Sequence, residues 1–167
     1  RPRDWSSDVC SSDLMGAGVG AALSDHGAQV VTSLAGRSAA SAKRAEAARM
    51  RHVEDAELAS ADMILSILPP GDALAFAERM APHIRARPQK PLFADCNAVS
   101  PETVRKIEAV VAAAGADFVD AGIIGGPPRK GAGGPAFYAS GPNADKFAAL
   151  RTHGLDVRSE EHTSELQ

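Results

Sequence analysis

"MGAGVGAALSDHGAQVVTSLAGRS", residues 15–38, decides the fold of this 167-residue chain. A Gly- and Ala-rich run leads through His26 and Gly27 into "AQVVTSL", which ends before Gly36 and Arg37. The pattern predicts a helix over about residues 16–26, then a buried strand, then a second helix after Ser38 through "AASAKRAEAARM". The glycines admit two alignments. In the first, "GAGVGA" at residues 16–21 is a G-x-G-x-x-A turn, where a strand meets a helix whose N-terminus faces a pyrophosphate. In the second, Met15 and Gly16 close a G-x-G-x-M-G turn, Ser11 and Asp13 stand where its earlier glycines belong, and Gly18 and Gly20 are small residues inside the helix. The first alignment needs a strand directly before Gly16. Only the Ser- and Asp-rich stretch Arg3 to Leu14 stands before Met15, and the second is preferred because it leaves enough residues for a helix before Gly27.

Downstream the same alternation continues. "ADMILSILPP" reads as a buried strand stopped by Pro69 and Pro70, and "DALAFAERMAPHI" as the helix after it. "KPLFADCNA" is the next strand. "SPETVRKIEAVVAAAG" carries an N-cap Ser100, Pro101 in the first turn, Glu102 at the positive helix end and a terminating Gly115. "DFVDAGII" is a strand, "GGPPRKGAGG" a loop, "PAFYASG" a last strand and "NADKFAALRTHG" a helix. Strands alternating with helices predict an α/β fold around a mostly parallel sheet. The first helix alone has no apolar strand before it.

The two ends explain this gap. "RSEEHTSELQ", residues 158–167, can be written AGA TCG GAA GAG CAC ACG TCT GAA CTC CAG. Its reverse complement, shifted in frame, encodes "WSSDVCSSD", residues 5–13, and the start of a Leu codon. That DNA resembles a sequencing-library adapter. Residues 1–14 are therefore expected to be a non-native leader and residues 158–167 a non-native tail. The domain is expected to occupy residues 15–157, to lack its native first strand and to leave a central sheet edge unpaired.

With 44% hydrophobic residues the chain is long enough for one domain with a sizeable core. A net charge of -3 gives no footprint for nucleic acid or an anionic membrane, and no apolar run spans a bilayer. Cys10 and Cys96 form no CxxC, which points to a reducing, cytoplasmic setting. His26, His52, His83 and His153 lack metal-ligand spacing, so no metal is expected.

The end of "AQVVTSL" carries the cofactor signal. NAD enzymes place Asp or Glu there for the ribose hydroxyls, whereas an Arg can hold a 2′-phosphate through two hydrogen bonds. Arg37 and Ser38, with Lys43 or Arg44 nearby, point to NADP, with NAD possible; the alternative for Arg37 is a solvated residue at a helix start. The same Arg argues against a methyltransferase loop, which needs an acidic residue at this place. "LPPGD" and "DCNAVSPET" follow strands, at the sheet edge where ligands of open α/β folds bind. Asn97 and Ser100 are candidates to approach nicotinamide or substrate. Ser100 can equally be an N-cap, and Asp95 a loop carboxylate. Arg129 and Lys130 are either solvated or near a substrate anion. Cys96 has no adjacent base and reads as a small packed residue.

Together "MGAGVGAAL", "GRSAAS", "ADMILSILPP", "FADCNAVSPETVRKI" and "FVDAGIIGGPPRKGAGGPAFYASG" resemble the cofactor-binding domain of the β-hydroxyacid dehydrogenase superfamily, which includes 3-hydroxyisobutyrate and 6-phosphogluconate dehydrogenases. The resemblance implies a Rossmann-like, doubly wound fold and NAD(P)-dependent hydride transfer to or from a small-molecule hydroxy acid. It implies cofactor contacts at Met15, Gly16, Arg37, Ser38, Leu68, Pro69 and Asn97, and substrate contacts at Asn97, Gly125 and Gly126. The family's D-x-S-T is here Asp95-Cys96-Asn97-Ala98, and its D-A-P-V-S-G-G is Asp120 to Gly126 with Ile124 in place of Ser. The substrate is therefore expected to differ from those of the named enzymes. The resemblance implies that the catalytic Lys lies in a following helical domain that also supplies dimer contacts. No catalytic residue is assigned within this chain, which is expected to be inactive alone, and Lys90, Lys106, Lys130 and Lys146 do not replace the missing one. A non-catalytic nucleotide-binding or interaction module is the alternative.

Overall fold

Two strands, β4 (Met63–Ser66) and β5 (Leu92–Asp95), are buried at every residue, so they read as unbroken apolar runs rather than alternating ones. They form the middle of a mostly parallel sheet in a computed structural model that describes residues 6–9 and 14–159. Around them lie β1 (Ser6–Val9), β2 (Gln29–Thr32), β3 (Arg51–His52), β6 (Asp117–Ile124), β7 (Ala136–Ser140) and β8 (Asp156–Ser159). The order across the sheet is β3-β2-β1-β4-β5-β6-β7-β8. All neighbours are parallel except β6 and β7. The helices are α1 (Leu14–Asp25), α2 (Ala39–Ala47), α3 (Asp55–Leu58), α4 (Ala73–Arg85), α5 (Pro101–Ala113) and α6 (Ala144–Ala148).

Successive residues of β4 and β5 serve opposite faces. Met63, Leu65, Leu92 and Ala94 join Val19 and Leu23 of α1 and Phe147 of α6 in one core cluster. Ile64 and Phe93 join Phe76, Met80 and Ile84 of α4 and Ile107 of α5 in the other. Helices thus cover both faces, the doubly wound α/β arrangement that the alternating sequence pattern predicts. Phe93, Phe137 and Phe147 are fully buried, each worth about 2–3 kcal/mol over an exposed ring.

One expectation is corrected. The gap before α1 does not leave an unpaired edge, because Ser6–Val9 lies between β2 and β4, with Ser7 opposite Val30 on one side and Met63 on the other. A ladder is made by N–H and C=O groups, which Ser and Asp carry as fully as Val. Apolar patterning was therefore the wrong criterion for occupancy of that slot. At the other end Arg158 and Ser159 continue β8 beyond residue 157, pairing with Tyr138 and Ala139. The short elements β3 and α3 were not foreseen, since two and four residues carry no periodicity. α6 passes into a 3-10 turn at Ala149–His153 instead of running on as one helix.

Candidate functional site at the carboxyl edge of the sheet

All three glycines of "GAGVG" lie inside α1, so the alignment that makes Gly16 and Gly18 a turn does not hold. The second alignment expects Gly18 and Gly20 inside the helix, where they are found. A Cβ on Gly18 would stand 2.8 Å from the Pro128 ring, and one on Gly20 would meet the Met50 thioether. Their smallness admits the loop after β6 and the approach to β3, where close packing on the sheet itself was expected. Gly16 is buried, and Met15 packs partly against the core. Ser11 and Asp13, at the expected phosphate turn, lie outside the described residues.

Beside α1, the turn from β2 to α2 passes through Gly36 at φ +72°, a left-handed conformation that suits glycine. The Arg37 N–H donates to the Leu34 carbonyl at 3.0 Å, closing the turn. Ser38 caps α2, its hydroxyl accepting from the Ser41 N–H at 3.2 Å. On the outer side, the Leu34 N–H donates to His52 Nδ1 at 3.0 Å, which ties the turn to β3. Arg37 is half-buried at the rim of a cavity of about 310 Å³ that also touches Ser33, Leu68, Asp72, Phe76 and Arg79. Sequence reasoning missed Asp72, Phe76 and Arg79, because they sit in an ordinary amphipathic pattern and only the fold brings them opposite the β2 turn.

The next strand ends are held by one side chain. Asn97 accepts from the Leu68 N–H at 2.6 Å and donates to Ser66 Oγ at 3.0 Å and to Asp95 Oδ1 at 2.6 Å. It is only 8% exposed, so its amide braces the segment that carries Leu68 and Pro69. Ser100 caps α5 through the Thr103 N–H at 3.2 Å, which commits its hydroxyl to the helix. Asp95 is fully buried, with Oδ2 lacking a partner among the described residues. Burial pushes its carboxyl up to about 6, the Asn97 hydrogen bond opposes this, and Asp120 opposite on β6 adds to it. This buried carboxyl has no sequence signal beyond being an Asp at a strand end. Burial likewise pushes the Cys96 thiol well above its usual range, followed by the nearby carboxylates, which makes it a poor nucleophile.

Gly125 (φ +119°) and Gly126 follow β6, beyond the point where its pairing with β5 ends. A side chain on Gly125 would crowd the backbone of Pro135 at 3.1 Å. Ile124 just before them is 65% exposed. Pro128 closes this loop down on α1, while Arg129 and Lys130 stay exposed. The structure therefore joins Leu68 directly to Asn97 and sets Arg37 in the same cavity as Leu68. Gly125 and Gly126 stand further along the same edge. A larger cavity of about 560 Å³ lies at the opposite edge, against the strand starts Met63, Leu92 and Asp117, away from where open α/β sheets bind ligands. Among the described residues no three His, Cys, Asp or Glu side chains converge as metal ligands, and no helix is long and apolar enough to cross a membrane.

Residues 13–152 match the family model described as the NAD binding domain of 6-phosphogluconate dehydrogenase. The 3-hydroxyisobutyrate dehydrogenase of Pseudomonas aeruginosa is 36% identical over 92 residues, which are 54% of this chain and 30% of that protein. A solved protein of unknown function, described as structurally similar to 3-hydroxyacid dehydrogenases, superposes with a TM-score of 0.82 at 31% identity. It matches over 92% of this chain and 57% of its own. The Mycobacterium tuberculosis 3-hydroxyisobutyrate dehydrogenase solved with L-serine shares the fold, with a TM-score of 0.74 at 22% identity over 92% of this chain and 53% of its own. The chain thus spans about half the length of these solved structures, and 30% of the Pseudomonas enzyme.

Proposed function

The chain belongs to the family of the NAD-binding domain of 6-phosphogluconate dehydrogenase, and on that premise we propose that it is the cofactor-binding half of an NADP-preferring oxidoreductase acting on a hydroxy acid. The observation that carries the preference is Arg37. It stands at the end of β2, at the rim of an open cavity, where the sequence Ser33 to Ser38 offers no carboxylate for a ribose diol. A guanidinium there pairs with a phosphate monoester and gains little from two hydroxyls. The bound dinucleotide would supply or accept the hydride.

The chain's own residues bind and orient. The amino end of α1, with Met15 and Gly16 in its first turn, presents its positive pole to the pyrophosphate. Leu68 and Pro69, held in place by Asn97, line the path between the adenosine end and the nicotinamide end. The Gly125–Gly126 turn borders the substrate, Asn97 acts only as a brace behind it, and exposed Ile124 offers the substrate an apolar surface where the family has a hydroxyl. The proton-transferring Lys comes from the helical domain of the complete enzyme, so these residues alone turn nothing over.

A fluorescence titration of the chain with NADPH and NADH tests this reading. NADPH is expected to bind at least about tenfold more tightly, with the difference erased in Arg37→Ala. Equal affinities in the unaltered chain, or a preference that survives Arg37→Ala, would remove the NADP assignment.

A further inference from the structure

Arg79 faces the Arg37 cavity from α4 and is held there in an unusual way. Its Nε lies 3.0 Å from Asp55 Oδ2, and its Nη2 lies 3.4 Å from Asp55 Oδ1, so one edge of the guanidinium is fixed by a single carboxylate. Its carbon stands 5.1 Å from the centre of the Phe76 ring, which fixes the plane. The Nη1 group has no partner among the described residues, and the side chain is 47% exposed. A planar cation with one edge anchored, its plane set and its third nitrogen open loses little freedom on accepting an anion. Asp55 serves as the anchor and is only 22% exposed. The charged groups that line the cavity are Arg37, Arg79 and Asp72, with Asp55 paired to Arg79 behind it.

We propose that Arg79 is a second specificity-determining residue, which closes with Arg37 on a phosphate monoester as a two-arginine clamp. The inference rests on the NADP reading, in which that monoester is the 2′-phosphate of the adenosine end. Arg37 comes from the β2 turn and Arg79 from the helix after β4, so the phosphate is gripped by two elements that sequence does not connect. Neither arginine alone sets the preference.

Calorimetric titration of the chain with adenosine 2′,5′-bisphosphate and with AMP, which share the 5′-phosphate, isolates the contribution of the 2′-phosphate. Arg79→Gln is expected to weaken the bisphosphate by about tenfold or more, the usual scale of a lost charge-assisted hydrogen bond, and to leave AMP unchanged. Arg79→Lys keeps the charge but loses the planar fork that Asp55 anchors and Phe76 orients, and is expected to lose much of the preference as well. Both variants are half-exposed changes whose folding is checked by thermal melting. An unchanged bisphosphate affinity in Arg79→Gln, with loss in Arg37→Ala, overturns the clamp and leaves the NADP reading standing. Equal weakening of both probes by Arg79→Gln makes Arg79 a general adenosine contact and overturns the clamp, as does a preference left whole in Arg79→Lys. If the unaltered chain fails to distinguish the probes, or binds neither, the NADP reading falls, and the clamp with it.

Discussion

Replacing Asp95 by Asn should flatten one component of the chain's pH-dependent stability. The wild-type carboxyl is fully buried and has its pKa pushed from the ordinary 3.8 up to about 6. A carboxyl raised on folding favours its protonated form in the folded state. Its contribution is therefore intact below the unfolded pKa and is lost as pH rises through the folded one. The interval between 3.8 and about 6, at about 1.4 kcal/mol for each pKa unit, corresponds to about 3 kcal/mol. The amide introduced by Asp95→Asn would keep an oxygen that accepts from Asn97 Nδ2 and would carry no charge at any pH. Urea unfolding followed by far-ultraviolet circular dichroism, at steps from about pH 4 to about pH 8, gives the stability of each protein. The difference, variant minus wild type, is expected to rise by about 2.5 kcal/mol across that range, with most of the rise complete by neutral pH. Parallel curves, or a difference that falls with pH, would refute the assignment of a buried, reluctant acid at the end of β5.

Asn97→Ala removes the acceptor for the Leu68 N–H and the donor to Ser66 and Asp95, and should cost about 3 kcal/mol or more in the same unfolding assay. Ser100→Ala should cost about 1 kcal/mol through loss of the α5 cap, with no change in cofactor affinity by fluorescence titration. Gly18→Leu would drive into the Pro128 ring and lift the loop off α1, so tryptic cleavage at the exposed Arg129 and Lys130 should accelerate while far-ultraviolet dichroism is kept. Cys96 should resist a thiol reagent in the native protein and react only on unfolding, and rapid native labelling would contradict its burial.

The long elements were legible because their signals are local. The Ser100 cap with Pro101 announced α5, the apolar runs announced β4 and β5, and the change from small-residue helix to "AQVVTSL" announced α1 and β2. Arg37 was legible as a charge placed after a strand. What the sequence withheld depends on contact across the chain. Asn97 looked like a ligand-facing amide, and three hydrogen bonds from separate strand ends turn it inward. Arg79 sits in an ordinary amphipathic pattern that singles out no position, and Asp55, 24 positions away, holds it against Phe76 at a cavity rim. Occupancy of the β1 slot escaped for the opposite reason, since backbone ladders are indifferent to the side-chain pattern that was used to judge it.

The hydrogen bond from the Leu34 N–H to His52 ties the turn that bears Arg37 to the outermost strand of the sheet, a strand only two residues long. Margins of that kind open first and close last. Opening at the sheet's border is accordingly expected to loosen the turn that carries the arginine. An anion that spans from the turn to α4 would mend that border from its far side, making recognition and local ordering a single event.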